Sequence, residues 1–192
     1  MASINASLGN HAHANGISLE LYGKGYVLGP DAGIGKNLYS GLDYSEYYSQ
    51  MPAHNTVVVD GVSSYPVMMS QHAFKVVASS PEVSAEQPAS KKLSEQKEKM
   101  TYATVSFIEP ETQADQQRTT VIVKTSDKGG YYIDVFRSRK KEGGDKTHDY
   151  FYHNLGQEMK VMDAASGKVL DMKPTEELAF AGGHLYAYSY IY

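Results

Sequence analysis

The sequence predicts a mainly β chain, an antiparallel β-sandwich, on three observations. Short runs alternate apolar and polar residues at period two, which puts every second side chain on one face of a strand. Glycine-marked turns separate these runs at short intervals, the spacing of antiparallel sandwich strands. Tyrosine dominates the aromatics, 16 against 5 phenylalanines and no tryptophan, and 17 glycines supply turns. Rings with one polar end suit half-buried sheet faces.

The elements follow in order. Residues 17–22 (ISLELY) place Ile17, Leu19 and Leu21 on one side; Gly23-Lys24-Gly25 reads as a hairpin turn and residues 26–28 as the returning strand. Residues 37–50 hold Tyr39, Tyr44, Tyr47 and Tyr48 among Ser, Gly, Asp and Glu with no sustained apolar period. They predict a long loop with one helical turn, suited to stacking on sugar rings or to covering a sheet edge. Residues 56–61 (TVVVDG) read as a short buried strand closed by an Asp-Gly turn, with residues 73–78 (AFKVVA) as its expected partner. Residues 79–99 are rich in Ser, Pro, Glu and Lys, and their charged part 91–99 has Leu93 as its one apolar residue. Such a stretch buries little surface and reads as an exposed connection within the domain. Strands are expected at 101–108, 118–125, 131–137, 149–154 and 159–162, then a hairpin turn at Ala165-Ser166-Gly167-Lys168 before 169–172. The alternating residues 185–192 read as a last strand.

A chain of 192 residues and 21.1 kDa supports one domain, residues 1–192, with a substantial core. Its net charge of −4 and pI near 6.0 oppose long-range attraction to polyanions, so no nucleic-acid partner is expected and an acidic ligand must meet a local positive site. The absence of cysteine excludes disulfide and thiolate chemistry and leaves the compartment open. Residues 1–10 have neither a basic nor an apolar segment of the kind a signal peptide needs, and no run is long enough to cross a bilayer, so no membrane partner is expected.

The chemistry concentrates between His11 and Gly61. His13, Asp31 and His54 each lie beside a predicted strand, and two imidazoles with one carboxylate suit zinc, leaving a fourth position open. The hairpin reversal brings His13 and Asp31 to one end of the sheet. On the residues alone, a His–Asp hydrogen bond at a strand end accounts for the pattern as well.

The ordered set His11-Ala12-His13, a strand ending LYGKG, Asp31-Ala32-Gly33, a tyrosine-rich loop and AHNTVVVDG carries a resemblance, extended by GYYIDVFRSR and HDYFYHNLGQ. It resembles the C-terminal sheet domain of the heparinase II/III-like polysaccharide lyases, a group that includes alginate lyases and joins an (α/α) toroid to a β-sandwich. The resemblance implies a structural zinc held by His13, Asp31 and His54. It also implies that His11 reaches an active site for β-elimination on uronate glycans, and that Tyr44 and Tyr47 are candidates for an assisting tyrosine. The principal proton-transfer groups would come from an N-terminal toroid of the same parent chain. An acidic polysaccharide or oligosaccharide would be the substrate, and the location periplasmic or secreted. One departure stands out: the usual HxHxD is here His11-Ala12-His13-Ala14-Asn15. Two other classes remain: a non-catalytic carbohydrate-binding sandwich, for which the tyrosine surplus speaks, and a cupin-like metal barrel. The spacing of Glu20, Pro30 and Gly33 falls outside the cupin pattern.

Overall fold

The computed structural model describes residues 1–8, 12–36, 42–62, 71–82, 99–140, 142, 146–172, 187–188 and 191. Thirteen strands lie among them: β1 (Ala2–Asn5), β2 (Ser7–Leu8), β3 (Ser18–Gly23), β4 (Tyr26–Gly29), β5 (Val57–Val59), β6 (Gln71–His72) and β7 (Lys75–Ser80), followed by β8 (Met100–Ile108), β9 (Asp115–Lys124), β10 (Gly130–Arg139), β11 (His148–Tyr150), β12 (Val161–Met162) and β13 (Val169–Leu170). All pairings are antiparallel, in a small sheet β1-β3-β4, a large sheet β10-β9-β8-β7 and the pairs β11-β5, β12-β13 and β2-β6. The chain is therefore mainly β and forms a sandwich. No helix among the described residues is long and apolar enough to cross a membrane.

The core lies where the small sheet and its flanking loops meet the large sheet. Ala14, Ile17, Met51 and Val58 pack with Val105 and Phe107 of β8 and with Tyr188, and Ile4, Phe74, Phe136 and Phe151 close the edges. Residues of the large sheet alternate as the period-two reading requires: on β10, Tyr132, Asp134 and Phe136 are half-buried while Tyr131, Ile133 and Val135 are exposed.

Turn chemistry accounts for the elements the sequence predicted best. Lys24 and Gly25 both take left-handed φ, 52° and 85°, as a two-residue hairpin turn between right-twisted strands demands. The Asp60-Gly61 turn also forms, with the Val62 N–H donating to the Val59 carbonyl.

Elsewhere the structure corrects the reading. Residues 73–78 do not pair with the TVVVDG strand: β7 lies on β8, and β5 takes β11 instead. Three consecutive buried valines carry no facial alternation, so nothing in them specifies a partner. Of residues 149–154 only Asp149 and Tyr150 are in β11; Phe151 N–H still reaches the Thr56 carbonyl, after which the Asn55 side chain takes the ladder's place. Strand β9 begins at Asp115, ahead of the predicted 118, and β1 was not foreseen. Tyr44–Tyr48 forms a single π-helical turn in the predicted loop, whose residues 37–41 lie outside the described ones. Within 185–192, Ala187 and Tyr188 form a 3-10 turn; apart from Ile191, the rest of that predicted strand lies outside the described residues, as does 83–98 of the predicted connection.

Candidate metal centre

Three chain segments deliver the three predicted ligands to one place. His13 precedes β3 and is tied to the end of the π-helical turn, where the neighbouring Ala14 N–H donates to the Ser49 carbonyl over 2.8 Å. Asp31 follows β4, and its Oδ1 accepts from the Gly33 N–H at 2.7 Å. Gly33 has a φ of 72°, so this tight turn favours glycine two residues after the carboxylate. His54 closes the short 3-10 helix Met51–Ala53 and leads into β5. One ligand atom from each of His13, Asp31 and His54 lies within 4.8 Å of the others.

The chemistry of the set fits a metal. His54 is fully buried, its Nδ1 lies 2.7 Å from Asp31 Oδ2, and its Nε2 has no partner among the described residues. An ionised carboxylate only accepts, so Nδ1 carries the proton in that contact and Nε2 is the ring nitrogen left for another partner. A buried polar atom left unmatched is costly, and an electron-pair acceptor would relieve it. The 2.7 Å contact is shorter than the about 3.3 Å between two ligands on a tetrahedral ion with bonds near 2.0 Å, so the pair as it stands is a hydrogen bond. Burial, and next the neighbouring His54, lower the His13 pKa, with Asp31 opposing them, which favours the neutral ligand form. Burial alone would raise the Asp31 carboxyl. The His54 hydrogen bond and charge, the Gly33 N–H and the charge of His13 together hold it below its ordinary value.

The candidate catalytic residues divide. Tyr44 stands edge-on to His13, with ring centroids 5.5 Å apart, and His13 in turn meets His54 at 5.2 Å. Tyr47 packs its ring on Tyr48 at 5.3 Å, and burial, then the Tyr48 neighbour, raise its phenol pKa, the wrong direction for a base. His11 lies outside the described residues. Glu20, the cupin-like candidate, accepts from Asn5 Nδ2 and from the Tyr22 hydroxyl and is not among the clustered ligands.

Sequence reasoning missed the residues around the ligands. Asn55 Nδ2 donates to the Leu19 and Pro30 carbonyls at 2.8 and 3.1 Å, and its Oδ1 accepts from His153 N–H at 2.5 Å. The His153 ring Nε2 contacts the Pro52 carbonyl at 2.9 Å; burial lowers its pKa first, Pro52 opposes, and His54 lowers it further. Arg118, fully buried, reaches the same region from β9. An arginine and an aspartate at inward positions of neighbouring strands, Arg118 and Asp134, were the signal available.

The sequence of residues 2–108 matches the family model described as heparinase II/III-like, C-terminal. The chain belongs to that family. An endo-acting ulvan lyase of Formosa agariphila is 34% identical over 175 residues, which cover 86% of this chain and 20% of the relative. The chain thus spans about one fifth of the length of that curated relative. An apolar cleft of about 390 Å³, lined by Ile4, Phe74, Val105 and Ile122 among others, opens between the sheets and includes none of the three ligands of the candidate centre in this heparinase II/III-like domain.

Proposed function

We propose that this chain is the β-domain of a polysaccharide lyase that cleaves uronic-acid-containing glycans by β-elimination, supplying a zinc site and part of the cleft. The observation that carries the reading is the convergence of His13, Asp31 and His54, from three separate segments, in a chain of this family. The relative named as a lyase supports the reaction class. A zinc ion held by these three residues would supply fixed positive charge and lock the loops that carry them.

In the elimination, a base removes the proton beside the uronate carboxylate, the C–H pair becomes the new C=C bond, and the C–O bond to the leaving sugar breaks as its oxygen gains a proton. The carboxylate must be neutralised while this happens. His11, two residues before the ligand His13, is the group this domain offers to the reacting sugar, with Tyr44 the better placed of the two loop tyrosines because its ring touches His13. Tyr47 is the weaker candidate on the packing and pKa given above. The remaining proton-transfer groups belong to an N-terminal (α/α) toroid of the same parent chain, and the enzyme works in the periplasm or outside the cell on an acidic polysaccharide or oligosaccharide.

The test is absorbance growth at the unsaturated product end. The 192-residue chain alone is expected to show no lyase activity on uronate polysaccharides, whereas the longer protein is active and loses most of that activity on His11→Ala. Robust activity from the short chain would place the base within it and overturn this division of labour.

A further inference from the structure

Two buried side chains hold all three ligand segments at once, and neither is a ligand. Asn55 follows His54 directly. Its side-chain amide donates to the Pro30 carbonyl, one residue before Asp31, and to the Leu19 carbonyl of β3, the strand that His13 leads into. Arg118 Nη1 donates to the Ile17 and Asn55 carbonyls at 2.7 and 2.6 Å, so one nitrogen of the large sheet clamps the chain after His13 to the chain after His54. The guanidinium is itself fixed: Nε and Nη2 donate to the two Asp134 oxygens, each at 2.8 Å, and Nη2 also donates to the Tyr150 hydroxyl at 3.0 Å. Phe136 lies under it, 5.2 Å from its ring centroid to the guanidinium carbon.

We propose that Asn55 and Arg118 are positioning residues for the metal centre, setting the mutual geometry of the His13, Asp31 and His54 segments through the carbonyls of Ile17, Pro30 and Asn55. The inference rests on the zinc reading above and extends it to residues whose hydrogen bonds go to the backbone of the ligand segments. The physical reason is that the ligands sit on loops, whose separate freedom would spread the three donor atoms. A planar fork with five N–H groups, all five engaged here, removes that freedom at a fixed point of the large sheet. A lysine keeps the charge and loses the fork.

The experiment compares metal-free wild type, Asn55→Ala, Arg118→Lys and Tyr150→Phe with Phe107→Leu, a core variant that packs on the same segments but removes none of these hydrogen bonds. Zinc affinity is read by calorimetric titration, site geometry by the visible spectrum of bound cobalt(II), and stability by metal-free thermal unfolding. Asn55→Ala and Arg118→Lys are expected to weaken zinc about 10- to 100-fold and to alter the cobalt spectrum, while Phe107→Leu loses stability but keeps affinity and spectrum. Tyr150→Phe, the mildest change, shows a smaller weakening in the same direction and decides the matter if the other two do not fold. The inference is overturned if the folded network variants keep wild-type affinity and spectrum, or if affinity follows unfolding temperature alike in Phe107→Leu. Wild type that binds no zinc overturns the zinc reading itself, and this inference with it.

Discussion

Two buried polar clusters lie side by side in this domain, and they are built to different rules. Around Arg118, the five N–H groups all have acceptors and both Asp134 oxygens are bonded. Around His54, one ring nitrogen is bonded to Asp31 while the other, buried, has no partner among the described residues. A cluster that only holds shape closes all its valences, since an open one costs stability for nothing. On the zinc reading proposed above, the nitrogen left open within reach of a second imidazole and a carboxylate is the one the metal takes. The two should therefore respond to different perturbations: the closed one in metal-free stability, the open one in the response to zinc.

The largest effect expected is on the closed side. Arg118→Met leaves Asp134 without its cation and takes a donor from the Ile17 and Asn55 carbonyls, and should lower the stability of the metal-free chain by about 3–5 kcal/mol in urea titration. A loss below about 1 kcal/mol would put the cluster among the solvent-screened pairs and erase the contrast. Next comes the open side: zinc at a hundredfold excess over its dissociation constant should raise wild-type stability by about 2.7 kcal/mol and leave His54→Ala where it was. Equal stabilisation of both would assign the metal elsewhere.

Smaller still is Tyr150→Phe, which removes one hydroxyl from the closed cluster and should cost about 0.5–1.5 kcal/mol without metal. Burial raises the Tyr150 phenol far above its ordinary pKa despite the Arg118 charge, so no ionisation of this tyrosine should appear in a spectrophotometric titration up to the onset of alkaline unfolding. The smallest effect is acid-linked. Because the folded Asp31 carboxyl is held below its unfolded value, its stabilisation is present above the unfolded pKa and fades as pH falls through the folded one. Metal-free Asp31→Asn should lack that part of the acid limb, so its stability and that of wild type should converge as pH drops; a constant gap at all pH values would contradict this.

The same contrast explains what the sequence could reveal. Hairpin turns at Lys24-Gly25 and Asp60-Gly61 were legible because left-handed backbone restricts residue choice. The clustering of His13, Asp31 and His54 was legible because His and Asp at strand ends have few roles, and the ordered motifs resembled a known family. The partner of Val57–Val59 was not legible, since the uniform valines name no register and the choice falls to distant packing. Strand β9 was read short because Asp115, Gln116 and Gln117 are all polar, although Gln116 is fully buried and its amide donates to the Val57 carbonyl, a bond that periodicity cannot display. Asn55 was quoted in a motif and given no task; its three contacts run to residues 36, 25 and 98 positions away, and only the fold brings them together.

The most direct test is zinc stoichiometry by elemental analysis of the untagged chain, purified without chelator, for wild type and His54→Ala side by side. One zinc per wild-type chain and none in His54→Ala, with both proteins folded by circular dichroism, is the predicted result. Folded wild type without zinc, or the same zinc content in both proteins, would contradict the claim that His13, Asp31 and His54 form a metal centre.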